Sequence, residues 1–217
     1  CNVYNLLAEA YLKQNNRELA EIIYRKAIER FPADLNLINN LGLFYLNEGK
    51  NSLAKKIMED GLKINSDYIP ILNNLGFIYE KENKPEEALK YYLRIKPEEK
   101  DQLKYLKNLA NCYMKLKKFS EASGYLLKAF DFNNKDTEIL NNLGFSLYMQ
   151  SEFDKAEEYY LKACEIDREN AGLYYNIGNV FYQKGDLDTA GSYYDKALKI
   201  NPEYKDVKIS LGFINFH

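Results

Sequence analysis

The chain has no tryptophan, one histidine and three cysteines among its 217 residues, and each shortage excludes a chemistry. The histidine is the final residue, His217. Without a second imidazole, no histidine-based triad, acid–base pair or multi-histidine metal site can be assembled. Cys1, Cys112 and Cys164 are odd in number, widely spaced and free of a CxxC pair, which indicates neither a disulfide framework nor a zinc site. Cys112 and Cys164 fall at apolar helical positions and read as inert buried thiols. A formal net charge of -2 gives no overall pull toward nucleic acid or an anionic membrane. The longest apolar runs fall well short of the roughly 20 residues a bilayer crossing needs, and no secretory signal is visible. No glycine-rich phosphate loop is present. These shortages together predict a non-catalytic chain with no cofactor and no metal.

What is abundant is order along the chain. Hydrophobic residues make up 46% and charged residues 29%, the balance of a soluble globular protein. Asn39-Asn40-Leu41-Gly42, Asn73-Asn74-Leu75-Gly76 and Asn141-Asn142-Leu143-Gly144 share one phrase. The first two lie 34 residues apart, and the third follows after two further periods. In that register small residues stand at Ala8, Gly42, Gly76, Ala110, Gly144 and Gly178, each followed twelve residues later by Ala20, Ala54, Ala88, Ala122, Ala156 or Ala190. Large residues fill the spacing of three, four and seven that marks helices: Tyr24, Met58, Tyr92, Leu126, Tyr160 and Tyr194 recur on every second helix. Small residues predict close approach of two helices, with the alanine twelve residues on receiving the contact. Asn15, Gly49, Asn83 and Gly185 suit a left-handed stop after the first helix. Ser52, Ser120, Asp154 and Asp188 suit the start of the second.

This pattern resembles the tetratricopeptide repeat family over essentially every residue. The resemblance implies an all-α, right-handed superhelical solenoid of antiparallel helix pairs. A single array is expected over 1–217, with repeats at 1–34, 35–68, 69–102, 103–136, 137–170 and 171–204 and a partial seventh at 205–217. The usual tryptophan place is taken by Tyr4, Ile38, Leu72, Leu106, Leu140 and Tyr174. One joint breaks the pattern: Ile95 replaces the second small residue, and Pro97 falls where the helix should continue. Proline removes a backbone donor and clashes with the preceding turn. The sequence therefore predicts a helix end near Lys96 and a fresh amino-terminus at Pro97-Glu98-Glu99.

The resemblance implies that first helices line a concave, peptide-binding face. On that stripe Asn40, Asn74, Asn108, Asn142 and Asn176 recur in five successive repeats. Asn39, Asn73 and Asn141 stand beside three of them, and Asn111 and Asn179 lie one turn along. An amide can both donate to and accept from a peptide backbone, and helix propensity does not explain so many asparagines. The ladder resembles those of O-GlcNAc transferase and kinesin light chain. Its alternative role is to tie neighbouring helices together, and the two can coexist. Phe77 and Phe145, with Leu43, Phe213, Tyr148, Tyr175 and Tyr182, are either pockets for a bound segment or contacts to the next helix. From Gln102 to Ser120 there are five lysines and no acid, with Lys104 and Lys107 expected in the groove. Lys107, Asn111 and Asn142 resemble part of the carboxylate clamp of chaperone adaptors, although Gly172 and Asn176 occupy the places of its later basic members.

The expected function is a scaffold or adaptor whose groove binds a protein or peptide partner, with no nucleic-acid partner and no membrane span. The rival is a recognition or oligomerisation segment of a larger enzyme or signalling protein. Cys1 in place of methionine fits an excised or processed chain. Ile209, Leu211, Phe213, Ile214 and Phe216 form an apolar terminal helix without the polar cap that arrays require. That end predicts missing sequence or self-association into a homo-oligomer. Reduced cysteines favour the cytoplasm.

Overall fold

The computed structural model describes residues 2–96 and 102–215. Thirteen α-helices and no strand lie among them. In chain order they are α1 (Asn2–Lys13), α2 (Arg17–Arg30), α3 (Leu35–Asn47), α4 (Asn51–Ile64), α5 (Ile69–Lys81), α6 (Pro85–Tyr92), α7 (Gln102–Lys115), α8 (Phe119–Phe132), α9 (Thr137–Tyr148), α10 (Phe153–Ile166), α11 (Ala171–Lys184), α12 (Leu187–Ile200) and α13 (Lys205–Asn215). The chain divides into two compact units, Cys1–Pro97 and Glu98–His217. In each, every odd-numbered helix with a successor packs on it through a short reversing turn, and consecutive first helices also touch, α3 with α5 and α9 with α11. This is the all-α helix-pair solenoid class that the 34-residue phrase implies.

The close approach within a pair follows from side-chain volume. A Cβ built on Gly76 would fall 2.4 Å from the Tyr92 ring, on Gly178 2.4 Å from Tyr194, on Gly144 2.8 Å from Tyr160, and on Gly42 2.5 Å from the Met58 tip. Thus the atoms that close on each glycine belong to the large residue sixteen positions on, not to the alanine twelve on. An alanine methyl is too short to span two helices. The alanines, fully buried at Ala20, Ala54, Ala88, Ala122, Ala156 and Ala190, instead permit the approach one turn away.

The turns are set by backbone conformation. Asn15, Gly49, Asn83 and Gly185 all take positive φ, as expected, and so do Lys117 and Ser151. Lys117 and Ser151 are non-glycine residues in a left-handed conformation, held because the 34-residue register fixes the turn. The capping expectation needs correction. Ser52, Ser120, Asp154 and Asp188 lie inside the first turn of their helices, and the cap positions are Lys50, Lys118, Glu152 and Asp186. Only Asp186 among these four accepts a helix N–H, from Thr189 at 3.0 Å. The carboxylates of Asp154 and Asp188 act from within the turn, where the helix dipole favours them. Three first helices are capped by side chains: Asp34, Asp136 and Asn170 accept the opening N–H groups of α3, α9 and α11, whereas α5 has no such cap.

The irregular joint is where the sequence expects it, but the helix stops earlier. α2, α4, α8, α10 and α12 each run 14 residues, whereas α6 has 8 and ends at Tyr92 rather than near Lys96. Ile95 is then buried from outside the helix. A branched side chain cannot occupy a small-residue contact, and the residue before proline avoids helical angles, so termination relieves both conflicts. The expected amino-terminus at Pro97-Glu98-Glu99 lies outside the described residues. No helix among the described residues is long and apolar enough to cross a membrane.

Candidate functional site

The asparagine register resolves into rungs between consecutive first helices. In the Cys1–Pro97 unit the Asn40 amide donates to Asn5 Oδ1 at 3.1 Å, and Asn74 donates to Asn39 Oδ1 at 2.8 Å. In the Glu98–His217 unit Asn176 donates to Asn141 Oδ1 at 2.9 Å. Each rung joins residues 35 apart: an asparagine in one repeat meets the residue just before its counterpart in the preceding repeat. These amides therefore tie neighbouring helices, and Asn39 is buried in doing so. Asn5 was not singled out by sequence reasoning, yet it stands one period before Asn39 and could have been found from the register.

Within the Glu98–His217 unit the rung at Asn142 does not close. The residue 35 before Asn142 is Lys107, which carries no acceptor. Lys107 turns instead to Asp136, at 3.1 Å, and to Glu138. Burial pulls the Lys107 ammonium down, but the two carboxylates outweigh it and hold it above the ordinary lysine value. Its charge is therefore already answered from within the unit, which removes the free ammonium that a carboxylate clamp needs. Asn142 is half-buried and has no side-chain hydrogen bond among the described residues; Asn73, Asn108 and Asn111 share that condition. Asn179 does not: its carbonyl accepts from the Tyr194 hydroxyl at 2.8 Å. Burial first, then the neighbouring phenols, pushes Tyr194 up to about 12, so it stays a donor.

The apolar candidates divide between packing and exposure. Phe145 meets Phe119 edge-on at 5.8 Å and belongs largely to the core. Phe77 is 44% exposed, with Lys81 lying 5.3 Å over its ring. Tyr148 and Tyr175 are half-buried, while Tyr182 and Phe213 are exposed. Lys104 is exposed and forms no ion pair among the described residues. Polar hollows open along the closed rungs, one lined by Asn5, Asn36 and Asn40 and another by Asn141, Asn170 and Asn176. The thiols match the sequence reading: Cys112 and Cys164 are buried and outside any disulfide, and burial pushes Cys164 up to about 11, leaving it protonated at neutral pH.

A one-dimensional array of helix pairs with an amide-studded first-helix face defines a class, the interaction solenoids. Models of the tetratricopeptide repeat match residues 2–34, 35–68, 69–95 and 171–204, and a TPR repeat model matches 146–185. The chain belongs to the tetratricopeptide repeat family, the helix-pair repeats of protein-interaction scaffolds. Its structure is similar to that of YrrB, a TPR protein with an unusual peptide-binding site, at 23% identity and a TM-score of 0.78, covering 86% of this chain and 96% of that one. It is also similar to pilF of Pseudomonas aeruginosa (23%, TM-score 0.71, 97% and 96% covered). A tetratricopeptide repeat protein of Parabacteroides merdae gives 16%, TM-score 0.70 and 98% of both chains. No curated protein sequence matches.

Proposed function

We propose that the protein is a non-catalytic scaffold that holds an extended or helical segment of a partner protein against its first helices. In the Glu98–His217 unit the partner's backbone is gripped by Asn111 and Asn142, with Asn108 and Lys104 beside them; in the Cys1–Pro97 unit Asn73 and Phe77 play the corresponding part. The observation that carries this reading is the open rung at Asn142. Three of its counterparts spend an amide N–H on the neighbouring helix, whereas Asn142 keeps its full donor and acceptor capacity at half-buried depth. A peptide amide offers the matching pair. YrrB, which this chain resembles in fold, has an unusual peptide-binding site, and that lends the reading support.

Selection of a displayed random peptide library on the whole chain supplies a ligand for the test. Asn142→Ala is expected to weaken the selected peptides about tenfold while leaving thermal stability nearly unchanged. Asn74→Ala should behave oppositely. It strands Asn39 Oδ1 and costs about 1–3 kcal/mol of stability, with affinity within about twofold. Equal affinity for wild type and Asn142→Ala would remove the amide grip from the mechanism.

A second use of the same fold is favoured by α13. Ile209 and Phe213 are 57% and 59% exposed, and a side chain at Gly212 would meet nothing within 4 Å. An apolar helix face of this kind suits pairing between copies of the chain. Sedimentation equilibrium is expected to show concentration-dependent dimers that Phe213→Asp abolishes; a monomer at all concentrations would reject pairing through α13.

A further inference from the structure

In three repeats the eleventh residue, on the first helix, faces a fixed place on the second helix of the same repeat, and there the fold favours rings. Tyr79 stacks on Tyr91 at 5.5 Å and 10°, Tyr113 on Tyr125 at 5.4 Å and 10°, and Phe181 on Tyr193 at 5.5 Å and 6°. In the repeat at 35–68 the first-helix ring is present as Tyr45, but its second-helix partner is Ile57. The neighbouring place is likewise aliphatic. Ile28 stands three periods before Phe130, and Ile57 three periods before Tyr159. Phe130 and Tyr159 meet edge-on at 5.7 Å, with the Lys162 ammonium 5.7 and 5.1 Å from the two rings. Where Lys162 stands there, the earlier repeat has Asp60.

Space remains where those rings are missing. A hollow of about 280 Å³ lies between α2 and α4, with Leu41 and Tyr45 as its floor, Ile28, Leu53 and Ile57 as its walls and Asp60 at its edge. The floor residues are buried, whereas Leu53 is 43% exposed, so the hollow opens outward between second helices. Its shape is settled by neighbours that do not move easily: the Tyr45 hydroxyl donates to Glu21 at 3.0 Å.

We propose that this hollow is a docking site for an aromatic side chain of a partner protein, which supplies the ring that the chain itself supplies in three later repeats. The occupant is argued from the molecule: the register-equivalent place in the Glu98–His217 unit is filled by two aromatic rings, and three further repeats stack a ring on the residue equivalent to Tyr45. Aromatic pairs attract beyond the area they bury, because the positive edge of one ring meets the negative face of the other. The site opens between second helices, apart from the amide-lined first-helix face, and stands whether or not that face binds peptide.

The test uses the whole chain with labelled Ile and Leu methyls, titrated with N-acetyl-tyrosinamide and, in parallel, N-acetyl-leucinamide. Saturable shifts at Ile28, Leu41, Leu53 and Ile57 are expected with the tyrosine probe, about tenfold weaker with the leucine probe. Ile57→Tyr, a residue this register accepts in four other repeats, should abolish them. Tyr125→Ile should open a second binding place at Tyr113, which keeps the proposal testable if Ile57→Tyr does not fold. No saturable shift in the wild type, equal shifts with both probes, or undiminished binding to folded Ile57→Tyr would each overturn it.

Discussion

Replacing Tyr160 by alanine is expected to lower the unfolding free energy by about 3–5 kcal/mol, read from the urea midpoint at constant slope. Tyr160 is 1% exposed and lies against Gly144, where even a methyl would come within 2.8 Å of its ring. The ring is thus the filler of a gap that exists because glycine lets two helices close. Its removal leaves a cavity bounded by α9 and α10 that cannot collapse, since Leu143, Leu147 and Ala156 around it are already packed. The converse change, Gly144→Leu, overfills the same gap and should cost about 1–3 kcal/mol or more. Combined, the two should be less damaging than their sum, because the new leucine enters the volume the ring vacated; a coupling of about 0.5–3 kcal/mol is expected for residues in contact. Strict additivity would show that the glycine and the ring do not share one gap.

Asp136→Ala is expected to cost about 2 kcal/mol at neutral pH. One carboxylate oxygen caps α9, accepting from the N–H groups of Glu138 at 2.9 Å and Ile139 at 3.2 Å. The other accepts from Lys107 at 3.1 Å. Loss of a cap costs about 1 kcal/mol, and loss of a half-buried charge-assisted hydrogen bond adds a similar amount. Burial pushes the Asp136 carboxyl up, but Lys107 and the two backbone donors outweigh burial and hold it below the ordinary value. A carboxyl lowered on folding stabilises the native state above its unfolded value and loses that contribution as pH falls through its native one. The difference between wild type and Asp136→Ala should therefore be full at neutral pH and shrink below about pH 4. Lys107 is raised on folding, so its share is full below the ordinary lysine value and fades at higher pH. A mutant difference that is constant from neutral to acid pH would mean the carboxylate charge contributes nothing.

Much of the site was legible from residue types alone. The amide register was visible because a 34-residue period places chemically identical side chains on one stripe of successive helices. Which amides are spent and which are open was not. That depends on a contact between the residue before the ladder in one repeat and the ladder in the next, a pairing across 35 residues that only packing reveals. Lys107 read as a groove cation because no acid stands between Gln102 and Ser120. Its partners, Asp136 and Glu138, come from the next first helix and cancel that reading. The capping residues lie two positions earlier than Ser52, Ser120, Asp154 and Asp188 because left-handed turn residues fix where each second helix begins, and the register of those side chains cannot override them.

The sequence by itself determined the repeat: its length, its small and large positions, its turns and the break before Pro97. Local propensity and side-chain volume recur with the period, and a recurring volume pattern permits few other packings. The tertiary structure decided which partner each of those side chains meets. It set the ring against the glycine, the asparagine against the previous helix, the lysine against two carboxylates, and it left an unfilled hollow beside Ile57. Such outcomes depend on distances between helices, and those are fixed by the whole layer of side chains between them rather than by any residue's own identity.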